Sequence, residues 1–250
     1  GKFQQYWPGE HLVAKDILKP HGIFWPTMLM AADIPLYKHL NVHGYWLVKD
    51  TKMSKSLGNV VDPLKAAEHF GLDAFRYFLI REMNFGSDAS YSAEAITTRV
   101  NADLANDLGN LFSRVLSMNA KYFESKVPPL GDQLEADDIL CETTDNGAQN
   151  FVQLFGEMRF SQALEALWVP VRAMNKYVDE QAPWTLAKNG ETERLGTVIR
   201  TLLENMYKVC YLLWPIMPNS SATMQAQLGR PQGELSAAAI NAMRRDVLNQ

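Results

Sequence analysis

From residue 99 onward the sequence holds an apolar period near that of a helix in three long runs, at about 99 to 123, 138 to 180 and 192 to 214, and this pattern limits the fold most. The runs are interrupted by "KVPPLGDQ", "EQAPW" and "WPIMPNSS", where proline or a polar cluster ends a helix. Helices of that length joined by short breaks bury their apolar stripes most economically as an antiparallel bundle. Ahead of residue 99 the pattern changes. "DILKPHGIFWPTMLMAAD" reads as a helix and "LNVHGYWLV", residues 40 to 48, as a buried strand with a glycine in it, an alternation that suggests an α/β layer. Between Val60 and about Thr98, "PLKAAEHFG", "DAFRYFLIRE" and "SAEAITTRV" are short pieces separated by glycine and polar turns, as in a small connecting unit. No internal repeat or low-complexity tract is present, and the tail from about residue 229 is polar.

With 250 residues and 47% apolar content the chain can bury a substantial core, in one or two domains. No run approaches the roughly 18 apolar residues of a membrane span. Cys141 and Cys210 lie far apart, which argues against a disulfide framework or a structural zinc site and favours a reducing cytoplasm. The start, "GKFQQYWPGE", carries no targeting pattern and reads like an internal piece of a longer protein. Net charge is −4, yet the first 57 residues hold seven lysines against four acids, and four of the five histidines. That excess is either sampling in a short window or a site for an anionic ligand.

"DTKMSKSLGNVVDP", residues 50 to 63, concentrates cationic and hydroxyl groups where no regular period explains them. Lys52 and Lys55 are mobile point charges, Ser54 and Ser56 offer hydroxyl donors, and Gly58 permits a sharp turn. A loop with these groups suits a polyphosphate whose charge grows as it leaves. A solvated turn is the bland alternative, but five matching residues arise by chance in a chain of this size on the order of once in ten thousand.

"KMSKSLGNVVDP", preceded by "HGYWLV", resembles the nucleotide-site signature of class I aminoacyl-tRNA synthetases, and the flanking text resembles the methionyl branch. "HLVAKDILKPHGIFWP" precedes the loop, and "GLDAFRYFLIREMNFGSDASYS", "NADLANDLGNLFSR" and "YVDEQAPW" follow it in the order of that family. The resemblance implies that Lys55 contacts departing pyrophosphate, with Lys52, Met53, Ser54 and Ser56 completing the loop, and that His43 and Gly44 belong to the ATP site. It places Asp16 by the amino acid and the ATP ribose, His21 on the methionine pocket, and His11 and Lys15 in the same block. From the residues alone, Asp16 could equally cap a helix and His21 could be a core position. Ala14 stands where the family usually has glycine, and Pro20 where an aromatic is common; Pro20 is tolerable in the first turn of a following helix. The family's upstream "HIGH"-like sequence, its connective insertion and any zinc knuckle in it have no counterpart in these 250 residues.

Asn110 and Arg114, four apart in "LGNLFSRVL", project from one helix face, where an amide and a guanidinium can meet the edge of a splayed base. Trp184 follows Pro183 in a helix break and is either a stacking platform or ordinary core. The resemblance implies that all three read the anticodon, above all its first base.

The expected fold is therefore mainly α: residues 1–58 as the C-terminal part of a Rossmann-like α/β catalytic domain, 59–98 as a small α/β stem-contact unit, 99–228 as a helical anticodon-binding bundle, and 229–250 as a polar tail. The implied activity is activation of methionine with ATP and Mg²⁺ to methionyl-adenylate and its transfer to tRNA(Met), in the cytoplasm, with no tightly bound cofactor, metal, membrane or DNA. Alternatives are a synthetase for another amino acid of the class and a non-catalytic tRNA-binding module.

Overall fold

A computed structural model describes residues 2–54, 56 and 58–229. After a short helix α1 (Lys2–Tyr6), strand β1 (Glu10–Ala14) runs parallel to β2 (His39–His43), with Glu10 opposite His39 and Ala14 opposite His43. The crossover between them is helical: a 3₁₀ turn (Lys15–Ile17), a π-helical turn (Pro20–Phe24) and α2 (Trp25–Ala31). Pro20 thus lies in the first turn of the helix that follows the 3₁₀ turn, as expected. Its missing N–H falls where the helix widens, and the Trp25 N–H reaches the Pro20 carbonyl across the wide turn.

"LNVHGYWLV" is not one buried strand. It divides at Gly44 into β2 and β3 (Trp46–Val48), which belong to different sheets, and both are only half-buried. The division has a steric cause. A Cβ at Gly44 would lie 2.1 Å from the Ser87 carbonyl oxygen, so the crossing segment fits only against a bare Cα. Strand β3 pairs antiparallel with β4 (Thr51–Lys52) and parallel with β5 (Ala89–Ser90). Lys49 and Asp50, both at positive φ, make the tight two-residue β3–β4 turn.

Helices α3 (Pro63–Phe70) and α4 (Leu72–Glu82) follow the loop; Asp62 caps α3 by accepting the Leu64 N–H at 3.0 Å. Ser92 caps α5 (Ala93–Arg99), which continues through a π-helical stretch (Val100–Gly109) into α6 (Asn110–Phe123) as one helical rod. The rod starts earlier than the apolar period indicates. Ala66, Phe75, Phe78 and Ile96 form a small core, to which Trp46 of β3 adds its ring 5.4 Å from Phe78.

The expected run 138 to 180 is two helices, α7 (Glu135–Gly156) and α8 (Phe160–Gln181), reversed at Glu157–Arg159 with Met158 at φ 60°. Gly147 lets them approach closely, since a Cβ there would meet Pro170 at 2.9 Å. Pro170 also removes the N–H that would otherwise bind within α8. Short α9 (Pro183–Asn189), long α10 (Thr192–Leu213) and α11 (Pro218–Gln227) complete the bundle. Its core includes Leu111, Leu164, Trp168, Ile199 and Met206, all at most 1% exposed.

Helix α4 fastens the small core to the bundle. Arg76 donates to the carbonyls of Ile216 and Pro215, both at 2.8 Å, and Asp73 accepts the Ser220 N–H at 2.6 Å. Tyr77 lies in the bundle core and donates to Asp103 at 2.7 Å. Up to residue 54, by contrast, the only buried apolar side chains among the described residues are Val13 and Leu29, while Tyr6, Met28 and Met30 are more than 60% exposed. The described residues contain no helix long and apolar enough to cross a membrane.

Candidate functional site

Parallel strands β1 and β2 end at Ala14 and His43, so the residues that follow them, Lys15 and Asp16 on one side and Gly44 and Tyr45 on the other, emerge at the same edge. Ligands of α/β sheets bind outside the carboxyl ends of the strands. Lys52, at the entrance to the loop, closes the group. Its Nζ lies 3.3 Å from Asp16 Oδ2 and 3.1 Å from the Tyr45 hydroxyl, and 4.1 Å from the centre of the Tyr45 ring. Lys15 lies over the same ring at 4.7 Å and pairs with Asp88 at 2.6 Å. Asp88 also accepts the Tyr45 N–H at 2.8 Å.

Two lysines, two carboxylates and one phenol therefore alternate around Tyr45. Partial desolvation pushes the Asp16 carboxyl up, but the bonds from Lys52 and Tyr45 outweigh it and hold it below the usual carboxylate range. The same partners, Tyr45 first and then Asp16, raise Lys52. Asp88 is held low by Lys15 and by the Tyr45 N–H. Asp16 does not cap its helix: Ala14 occupies that position, without a side-chain bond.

The loop has its own organiser. Asn59 accepts the Ser54 N–H at 2.8 Å and donates to the Lys52 carbonyl at 3.3 Å, while the hydroxyls of Ser54 and Ser56 meet at 2.7 Å. Gly58 turns at φ 64°. Lys55 lies outside the described residues. His43 Nδ1 meets the Gly44 carbonyl at 2.8 Å.

His21 and His11 meet edge to face at 6.0 Å in an aromatic group with Trp7, Trp25 and Tyr37. The Trp25 indole N–H donates to His11 Nε2 at 3.0 Å, the Tyr37 hydroxyl donates to the His21 carbonyl at 3.0 Å, and His21 Nδ1 lies 2.9 Å from the Ile17 carbonyl. His21 is only half-buried, so it is not a core position. Tyr45, Asp88, Asn59, Trp25 and Tyr37 were not among the residues picked out by sequence. The aromatic density at 7, 25 and 37 is a signal for the last two; nothing local marks Asp88, which reaches the site from 43 residues beyond Tyr45.

Just past the middle of the rod, Asn110 and Arg114 are exposed on the first turns of α6. Arg114 donates to Asp179 of α8 at 2.8 Å, five residues before Trp184. Trp184 is 46% exposed in the first turn of α9, entered through Ala182 at positive φ, and so is not core. Beneath this turn, fully buried Asp137 accepts both Arg194 guanidinium nitrogens, the Tyr177 hydroxyl and the Leu134 N–H; Arg194 also donates to Gln181 at 2.7 Å. Burial pushes the Asp137 carboxyl up, and these donors more than reverse it. The described residues contain no group of three or more His, Cys, Asp or Glu arranged to hold a metal ion.

Residues 1–116 match the family of class I tRNA synthetases (M), and residues 127–246 match the anticodon-binding domain of methionyl tRNA ligase. The methionine–tRNA ligase of Caldanaerobacter subterraneus subsp. tengcongensis is 46% identical over 230 residues, covering 91% of this chain and 36% of the relative. That of Bacillus subtilis is 43% identical over 238 residues, covering 94% and 36%. The chain thus spans about a third of the length of these curated relatives. Methionyl-tRNA synthetase of Mycobacterium tuberculosis in complex with methionyl-adenylate superposes with a TM-score of 0.89 at 41% identity, over 95% of this chain and 48% of that one. Its apo form gives 0.86 at 38% identity.

Proposed function

The chain belongs to the methionyl-tRNA synthetase family of class I, and from that premise we propose that it is the part of a methionine–tRNA ligase that carries the phosphate-facing loop and the anticodon-reading bundle. The observation that carries the reading is the convergence of Lys15, Asp16, Tyr45 and Lys52 at the carboxyl ends of two parallel strands, in the half that matches the synthetase family. Residues 1–58 form the catalytic share, 59–98 the stem-contact unit and 99–228 the bundle.

In the whole enzyme the methionine carboxylate attacks the α-phosphate of ATP, pyrophosphate leaves, and the methionyl group passes from the adenylate to the terminal adenosine of tRNA(Met). Mg²⁺ enters with ATP as part of the substrate, and no tightly bound cofactor is needed in this part. In-line displacement at phosphorus depends on positioning and on compensating the charge of the leaving group. Ammonium groups on a loop that can withdraw do this, and Lys55 meets charge that grows mainly in the transition state. Asp16 faces the ribose and the amino acid, and the group of His11, His21, Trp25 and Tyr37 offers an apolar, polarisable wall for a thioether side chain. Asn110, Arg114 and Trp184 read the anticodon, and the cytoplasm is the compartment that suits the reaction.

The test is exchange of pyrophosphate into ATP by the full-length protein. Exchange should depend on methionine and not on leucine, isoleucine, valine or cysteine. Lys55→Ala should slow it by about 10² to 10³ with methionine affinity nearly unchanged. Exchange driven by another of these amino acids, or a Lys55→Ala protein that keeps its rate and loses methionine affinity, would overturn the assignment.

A further inference from the structure

The turn that carries Trp184 is held from inside the bundle by one guanidinium. Arg194 of α10 forks onto Asp137, which has no exposure, and the same Nη2 that meets this carboxylate donates to Gln181 Oε1 at 2.7 Å. Tyr177, which also donates to Asp137, stands one turn before Gln181 on the same face of α8, so both side chains meet the Asp137–Arg194 pair. Gln181 is the last residue of α8. The next, Ala182, turns at φ 42° and ψ 61°, the left-handed region that a residue with a Cβ enters only at a cost, and it starts α9 without a side-chain cap. We infer that Gln181 is a positioning residue for anticodon reading: tied to Arg194, it fixes the left-handed turn at Ala182 and so the direction in which Trp184 offers its ring.

Two ties hold the last turn of α8, and they differ in strength. Asp179 and Gln181 are two residues apart and so point to opposite sides of the helix. Outward, Asp179 pairs with Arg114, their side chains at 66% and 41% of full accessibility, and water and salt screen the contact. Inward, Arg194 is 16% exposed on a carboxylate that is fully buried, so breaking that pair strands a charge. The inner tie is the durable one, and Gln181 is where it reaches the turn. Pro183 is buried and Leu186 packs on the core, which seats α9 on the bundle. The backbone bonds at the corner, Ala182 N–H to Val178 and Thr185 N–H to Ala182, lie within the end of one helix or the start of the next, and the angle between the two helices is left to Ala182 and its neighbours. A stacking platform that is already aimed costs less to bind than one that must first be ordered.

The inference rests on the proposed role of Trp184, and the test separates the two. In full-length protein without tRNA, hydrogen–deuterium exchange of peptides covering residues 179 to 190 should be at least about threefold faster in Gln181→Met, which keeps the length and loses the acceptor, and close to wild type in Gln181→Glu, which keeps an acceptor for Arg194. Peptides from α7 and from the middle of α10 report whether the bundle is kept. In aminoacylation, Gln181→Met should raise the KM for tRNA about three- to tenfold, with kcat and methionine-dependent pyrophosphate exchange in place. Made in Trp184→Ala, the same substitution should add less than about twofold, because Gln181 acts through the ring. Unchanged exchange of the 179 to 190 peptides overturns the positioning role, as does a tRNA KM that rises by the same factor with and without Trp184, the mark of a merely structural glutamine. A Trp184→Ala enzyme that charges tRNA like the wild type would instead overturn the proposed role of Trp184, and the tRNA-free exchange would still decide whether Gln181 holds the turn.

Discussion

Trp184 lies with nearly half its surface exposed, so replacing it with alanine removes an open ring face without opening a closed cavity. In the full-length enzyme Trp184→Ala should cost about 1 to 3 kcal/mol of tRNA interaction, the worth of one base on an aromatic face. The melting temperature should hardly move, and adenylate formation without tRNA should stay as it was. A melting temperature that fell in step with tRNA affinity would count against recognition. At this scale the sequence marks side chains whose chemistry is unusual where they stand: the loop lysines, Asp16, and a tryptophan in a helix break. It does not mark Tyr45 or Asp88, whose importance comes from what they touch. Asp88 is one acid among 28 until the β3–β5 pairing carries it to Lys15.

At the scale of elements, the ends of α7, α8 and α10 meet on Asp137, the one carboxylate in the described residues with no exposure at all. Asp137→Asn leaves the Arg194 charge without its partner and should destabilise the bundle by about 3 to 5 kcal/mol near neutral pH, measured by denaturant unfolding. The depressed carboxyl fixes the sign with pH. Its contribution is complete above the ordinary carboxylate range and is lost as pH falls through the lowered folded value. The gap between wild type and variant should therefore narrow as pH falls below the ordinary carboxylate range; a gap that stayed constant would mean the carboxylate charge is not its source. Helix periods were legible here because they depend on local spacing of apolar residues. The α7–α8 reversal was not, since Gly156–Arg159 lacks a proline and the apolar period resumes almost in phase. Nor was the break at Gly44, which is set by a backbone 43 residues away.

Over the whole molecule, burial is uneven. The bundle and the small core are closed, and α4 fastens one to the other, whereas the strand ends that carry Lys15, Asp16 and Lys52 are open to water. Phosphoryl transfer needs the triphosphate held from both sides. The 250 residues by themselves should therefore show no methionine-dependent pyrophosphate exchange above background, while circular dichroism reports a folded bundle; clear exchange would contradict this. The rod from Ala93 to Phe123 leads from the small core into the bundle, and Asn110 and Arg114 stand just past its middle. Its π-helical stretch ends just before Asn110, so that stretch sets angle as well as length. Loss of one residue there would shorten the rod by only on the order of 1 Å but would turn Asn110 and Arg114 by roughly a quarter of a turn about its axis, away from Asp179 and the Trp184 turn. The rod works as a keyed shaft: a gain or loss of a single residue puts the two ends out of phase.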